Sequence, residues 1–337
     1  MESFRDPPVC VCNKFINIQA YKGSRNTREF FYLFKLLNTM KNLLQTIGNT
    51  PIIKLGKILN NKNVNLFAKL EGQNPGGSIK DRAALYMIEQ AEKRGELKQG
   101  KIILEATSGN MGIALAMIGA HKGYEVHIVM SEGMSEERKT MLRALGAKLI
   151  LTDKKLGTEG AISKAKELVK SSPLLYWFSN QFNNQDNVLS HYHGIAPEIL
   201  REVPNINYLI AGVGTSGTII GIANRFKKDS PQTKIIGVFP PAGYKIQGLQ
   251  NPQKDFSGDI YKSDLIDKHF HVSKEDAFAM TRKVAKEEGL FVGMSSGATL
   301  FAASQTGGSL KEGNIVVIIP DRGEKYLSTE LFKKIAN

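Results

Sequence analysis

One lysine stands where a glycine turn drops into a helix, in the stretch Asn74-Pro75-Gly76-Gly77-Ser78-Ile79-Lys80-Asp81-Arg82. Before it, Val64-Asn65-Leu66-Phe67-Ala68-Lys69-Leu70-Glu71 reads as a strand, and after it Ala83, Ala84, Met87, Ile88 and Ala91 recur at helical spacing. Ser78 with Asp81 three residues on has the form of a capping box, which starts the helix near Ile79 and puts Lys80 in its first turn. A cation there is disfavoured by about 0.3–1 kcal/mol, because the helix dipole is positive at that end. The penalty vanishes if the amine is held as an imine to a cofactor, so Lys80 is a candidate Schiff-base nucleophile.

Three further strand-to-helix turns carry chemistry. Glu105-Ala106-Thr107-Ser108-Gly109-Asn110-Met111-Gly112 offers backbone N–H groups and hydroxyls at a helix N-terminus, a site suited to a carboxylate. Ala211-Gly212-Val213-Gly214-Thr215-Ser216-Gly217-Thr218 has small residues that let backbone approach a phosphate, with three hydroxyl donors beside them. It lacks the Gly-Lys-Ser/Thr of a nucleotide P-loop. Gly212, Gly214 and Gly217 have dinucleotide spacing, but Pro231-Gln232-Thr233-Lys234 supplies no acidic ribose partner, so a phosphate not attached to a nucleotide fits best. In Gly293-Met294-Ser295-Ser296-Gly297-Ala298, Ser296 is the expected N-cap, which leaves Ser295 free to face a ligand.

Elements that position these turns follow from periodicity. Strands are expected at 64–71, 101–106, 125–130, 148–152, 207–213, 234–239 and 314–319, with helices near 79–94, 110–122, 135–145, 157–170, 193–202, 216–228, 274–288, 297–305 and 327–336. Apolar strands alternating with helices imply parallel sheets covered on both faces, an α/β fold of two doubly wound lobes. The Asn/Gln-rich segment at 180–187 is the expected boundary, giving an N-terminal lobe over 40–186 and a C-terminal lobe with the phosphate loop over 187–337. Residues 1–39 lack a sustained pattern and read as an extension, either disordered or preceding a true start at Met40.

Composition narrows the function. The chain of 337 residues has ordinary apolar and charged content and no run of roughly 18 apolar residues, so a membrane partner is not expected. Its two cysteines, Cys10 and Cys12, build no disulfide framework, which suits a cytoplasmic setting. No metal is expected, because the six histidines show no ligand spacing beyond His191/His193. A net charge of +13 invites a nucleic-acid reading, but the lysines are spread over every helix and no binding motif accompanies them.

In order and spacing, the four turns resemble those of the fold type II pyridoxal phosphate (PLP) family of cysteine synthases (O-acetylserine sulfhydrylases) and cystathionine β-synthases. Thr46-Ile47-Gly48-Asn49-Thr50-Pro51, Gln181-Phe182 and the closing Asp321–Thr329 segment extend the resemblance over about 42–330, and the Asp-Arg-Gly ending is most similar to B-type cysteine synthases. The resemblance implies two lobes with PLP between them. It assigns Lys80 to the imine and α-proton, Asn110 to the ring hydroxyl, Gly214, Thr215, Ser216, Gly217 and Thr218 to the phosphate, and Ser295 to the pyridine nitrogen. Thr107, Ser108, Gly109, Met111 and Gln181 fall at the substrate carboxylate. A serine does not hold the ring nitrogen protonated, which favours β-elimination over transamination. The implied reaction makes cysteine from O-acetyl-L-serine and sulfide through an aminoacrylate, in ping-pong order, in a homodimer with a mobile subdomain over about 125–165.

Two departures matter. Met111 stands where the family usually has Thr, as in members resembling β-cyanoalanine synthase, so the alternative reading is a cysteine-consuming reaction that releases hydrogen sulfide. Where B-type enzymes have arginines, this chain has Gln250 and Asn251, which argues against phosphorylated or large anionic substrates and makes Gln250 and Asp259 candidates for selecting the second substrate. A non-catalytic PLP-binding regulator is the remaining class, and the intact lysine with its anion turns argues against it.

Overall fold

The structure, a computed structural model, describes residues 41–251 and 258–333. The extension expected over 1–39 lies outside the described residues. The strands are β1 (Ile52–Leu55), β2 (Val64–Leu70), β3 (Ile102–Ala106), β4 (Val126–Ser131), β5 (Lys148–Thr152), β6 (Tyr176–Phe178), β7 (Ile206–Gly212), β8 (Lys234–Phe239), β9 (Lys268–His271) and β10 (Gly313–Ile319). The helices are α1 (Lys80–Lys93), α2 (Asn110–Lys122), α3 (Glu136–Ala144), α4 (Gly157–Ser171) and α5 (Gln185–His193). They continue with α6 (Ile195–Glu202), α7 (Gly217–Asp229), α8 (Lys274–Glu288), α9 (Met294–Gly308) and α10 (Glu330–Lys333).

Two sheets form. The larger runs β1-β2-β10-β7-β8-β9 and the smaller β5-β4-β3-β6, and every pairing is parallel except β1 with β2. Central strands are apolar on both faces: all five residues of β3 are buried, as are the last five of β10. Parallel strands covered on both sides require this. Helix α2 is apolar all round, with Met111 to Gly119 buried, and α1 packs Ala83, Ala84, Met87, Ile88 and Ala91 into the same cluster as α2 and the smaller sheet.

The sheets do not follow the expected contiguous lobes. β1 and β2, from the segment assigned to the first lobe, are strands of the larger sheet, and the smaller sheet uses only residues 102–178. The cause is β10, which pairs with β2 on one edge and β7 on the other. The boundary expected at 180–187 overlaps helix α5, which runs on to His193. Of the helix expected at 327–336, Glu330–Lys333 is helical, and 334–337 lie outside the described residues.

Candidate active site

Parallel sheets bind ligands outside the carboxyl ends of their strands. The turn before Lys80 lies there: Ile79 N–H donates to the carbonyl of Pro320, just past β10, at 2.8 Å, and Ser78 bridges to Asp321. The expected capping box is not what closes the turn. The Asp81 carboxylate accepts from Gly76 N–H at 2.6 Å, while Ser78 Oγ accepts from Lys80 N–H at 3.2 Å. Ile79 already has helical dihedrals, so the carboxylate reaches beyond Ser78 and ties the glycine turn instead.

The Lys80 Nζ donates to Thr215 Oγ1 at 3.2 Å. Burial lowers its pKa to about 8, and the nearby Glu105 carboxylate partly opposes the shift. An amine so poised is a competent nucleophile and proton acceptor near neutral pH. Glu105 is itself buried on β3, and burial raises its pKa to about 7 against hydrogen bonds from Ser179 Oγ and Gln181 N–H.

Below Lys80, α1 is fixed by a buried ion cluster. Arg82 Nε meets Glu71 at 2.6 Å and its Nη1 meets Glu198 at 2.7 Å, while Lys69 Nζ meets Glu198 at 2.7 Å and Thr50 Oγ1 donates to Glu71 at 2.6 Å. Two cations face two anions, so burial leaves no net charge uncompensated. Sequence reasoning passed over this cluster, although Lys69 and Glu71 at the end of an apolar strand are its signal.

The phosphate-loop candidates form a cradle between β7 and α7. Ser216 takes a left-handed conformation (φ 71°) as N-cap of α7, and its buried hydroxyl has no hydrogen-bond partner among the described residues. A Cβ on Gly214 would lie 2.6 Å from the carbonyl oxygen of Gly248, and one on Gly217 would lie 2.3 Å from Asn187 Oδ1. Both positions therefore demand glycine, and the backbone N–H groups of a helix start stay open to an anion. Lys80, Asn110, Gly214, Thr215, Ser216, Thr218 and Ser295 line one cavity, and Gly217 packs against Asn187. An orphaned hydroxyl in a glycine cradle facing an amine of lowered pKa fits a small phosphorylated aldehyde such as PLP.

Ser295 lies in the first turn of α9 and is 4% exposed. The N-cap is Gly293 rather than Ser296, since a side chain at 293 would strike Asp321, and the Ser296 hydroxyl is buried without a partner among the described residues. Asn110 donates to Asp321 at 2.7 Å and accepts from Lys325 Nζ at 2.8 Å, and Tyr326 OH donates to the same Asp321 oxygen at 2.6 Å. Burial raises the Asp321 pKa and lowers that of Lys325. Asp321, Lys325 and Tyr326 entered the sequence reading only within the closing motif.

The substrate-loop candidates divide. Ser108, Gly109 and Asn110 line a second cavity of about 260 Å³ with Arg138, Gln247 and Lys325, and Asn110, Gly248 and Tyr326 border both cavities. Arg138 Nη1 donates to the Ser108 carbonyl at 3.0 Å. Thr107 Oγ1 accepts from Gly109 N–H, and Thr107 and Ser108 face a third cavity with Ser131, Lys154 and Thr158. The Met111 side chain is 1% exposed and packs in the core with Met87 and Leu142, because its place on α2 faces the apolar interior, which leaves its backbone for the substrate loop. Gln181 is buried and held to Glu105 through its backbone N–H and its side chain. Gln250 N–H pairs with the Val213 carbonyl at 2.8 Å, so Gln247 and Gly248, not Gln250, line the cavity beside Asn110. Asp259 is exposed, with its N–H on Asn183 Oδ1.

The chain belongs to the pyridoxal-phosphate dependent enzyme family, whose model matches residues 43–321. Within it, the chain is similar to a cysteine synthase of Aquifex aeolicus, 42% identical over 301 residues, which span 87% of this chain and 92% of the relative. It is also 42% identical over 296 residues to cysteine synthase B of Escherichia coli, covering 87% and 96% of the two chains. The solved cysteine synthase of Entamoeba histolytica superposes with a TM-score of 0.83 at 40% identity, over 87% of this chain and 91% of that one.

Proposed function

We propose that the protein makes L-cysteine from O-acetyl-L-serine and sulfide. The observation that carries this reading is the Lys80 amine, its pKa lowered to about 8, at 3.2 Å from a threonine of the glycine cradle, in a chain 42% identical to named cysteine synthases. Bound PLP supplies the electron sink that loosens the bonds at the substrate α-carbon. Gly214 to Thr218 hold its phosphate, Asn110 meets its ring hydroxyl, and Ser295 gives its ring nitrogen a neutral partner. Thr107, Ser108 and Gly109, with Gln181, bind the substrate carboxylate. Lys80 takes the α-proton as acetate leaves the β-carbon, sulfide forms the new C–S bond there, and Lys80 returns the proton.

The finer assignments belong to the same reading: a homodimer in the cytoplasm, a subdomain of about 125–165 that closes on substrate, and Gln250 acting on the second substrate through the loop that it anchors. Arg138, which reaches the Ser108 carbonyl from α3, supports coupling between that subdomain and the substrate loop. No helix among the described residues is long and apolar enough to cross a membrane. With the Met111 side chain in the core, the residue behind the cysteine-consuming alternative no longer argues for it. The deciding assay supplies purified holoenzyme with O-acetylserine and sulfide and measures cysteine. Rapid formation that is lost in Lys80→Ala is expected; sulfide release from cysteine with no turnover of O-acetylserine would overturn the reading.

A further inference from the structure

Helix α5 stands directly behind the 214–218 cradle, and two of its polar residues, one helical turn apart, are fully buried: Asn187 and His191 are each 0% exposed. Each meets one threonine of the cradle. Asn187 Nδ2 lies 3.1 Å from Thr215 Oγ1, and His191 Nε2 lies 3.2 Å from Thr218 Oγ1. Neither residue had a role in the reaction as read above.

The direction of both hydrogen bonds can be derived. Asn187 Nδ2 also lies 2.8 Å from the carbonyl oxygen of Gln181, which can only accept, so this end of the amide is the NH2 and it donates to Thr215. Lys80 Nζ donates to the same hydroxyl oxygen. That contact belongs to the free amine; the bond from Asn187 does not depend on it and by itself leaves the Thr215 proton for something else. For His191, Nδ1 is buried with no partner among the described residues. A proton there would be an orphaned donor, whereas a proton on Nε2 finds the Thr218 oxygen. The ring is neutral, because burial, with the charges of Lys80 and Arg82, lowers its pKa well below the usual histidine value. Thr218 therefore accepts from His191 and, like Thr215, keeps a proton to give.

We propose that Asn187 and His191 are positioning residues for the cradle: they donate to Thr215 and Thr218 from behind, so that both threonine hydroxyls present their protons to an acceptor-only anion. The unpartnered hydroxyl of Ser216 between them extends the same donor set. A phosphate monoester with its oxygens unprotonated matches this polarity, and a ligand that must donate does not. The inference rests on reading 214–218 as the cradle for the cofactor's phosphate.

The test compares His191→Leu, His191→Gln and Thr218→Val by the PLP dissociation constant of the apoprotein and the 31P resonance of the bound phosphate. His191→Leu should bind PLP roughly tenfold more weakly and move the 31P resonance, as loss of one aligned donor predicts. His191→Gln, whose amide nitrogen reaches the place of Nε2, should restore both. A merely structural histidine would lower the unfolding temperature and leave the 31P resonance unmoved. If His191→Leu leaves affinity and resonance unchanged while Thr218→Val alters them, the proposal is wrong and the cradle stands. If Thr218→Val also changes neither, the cradle reading falls and the proposal with it. Should the leucine variant not fold, 15N NMR of the histidine-labelled wild-type holoenzyme decides: a His191 proton on Nε2 is expected, and one on Nδ1 overturns the proposal.

Discussion

Lys80 Nζ lies 3.2 Å from Thr215 Oγ1, so the first turn of α1 and the loop leaving β7 meet at one hydrogen bond. Residues 135 apart in sequence thereby become the two ends of one hydrogen bond on the wall of the cavity that both line. The amine at one end is tuned by burial, and its neutral fraction should govern how fast the empty protein captures an aldehyde.

Capture of PLP by apoprotein should accelerate as pH rises through about 8, the lowered pKa of Lys80, rather than through the 10.5 of an ordinary lysine. The sign follows from the amine being the nucleophile: deprotonation creates the reactive form. Stopped-flow absorbance from pH 6.5 to 10 checks this, and a rate still climbing steeply above pH 9.5 would contradict it.

Glu198→Ala should cost about 3–5 kcal/mol at neutral pH, because it leaves Lys69 and Arg82 buried with one carboxylate between them. Burial pushes the Glu198 pKa up, but the hydrogen bonds and charge of Arg82, with Lys69, outweigh it and hold the carboxyl at about 2. A depressed carboxyl pKa adds stability that is complete above the unfolded value, near 4.5, and is lost as pH falls toward 2. The gap between wild type and variant should therefore narrow below about pH 4.5, which urea unfolding at several pH values would reveal.

Gly217→Ala should weaken PLP binding at least about tenfold, since its Cβ would lie 2.3 Å from Asn187 Oδ1 and something in the cradle must move. Equilibrium dialysis of PLP against the apoprotein measures this. Unchanged affinity would show that the cradle is looser than these contacts indicate.

Met111→Thr should destabilise the fold by about 1–3 kcal/mol, because it places a hydroxyl among apolar side chains and removes packing volume. The Michaelis constant for O-acetylserine should change little. Thermal unfolding with steady-state kinetics separates the two effects, and a large fall in that constant without loss of stability would return Met111 to the substrate loop.

Legibility in the sequence tracked the chemistry of burial. Strands such as β3 and β10 were readable because parallel strands in a covered sheet are apolar throughout. The turns were readable because glycine and hydroxyl residues cluster where backbone must approach an anion. Helix α5 was not, since four of its five buried positions carry polar residues, Asp186, Asn187, Ser190 and His191, with only Val188 apolar, and a period of 3.6 written in polar residues gives little hydrophobic signal. β1, β6 and β9, of 4, 3 and 4 residues, were too short for a pattern. The direction of the Met111 side chain was not legible for a different reason: a motif gives a residue's position in a loop, but the helix phase decides which way its side chain points.

The place of β10 between β2 and β7 sets an order of assembly. A chain emerging from the ribosome carries Lys80 and the cradle early, yet residues 313–319 must arrive before the sheet joins β2 to β7. Until then the two halves of the site have no common strand, and Lys80 and the cradle share a sheet only once β10 has been made.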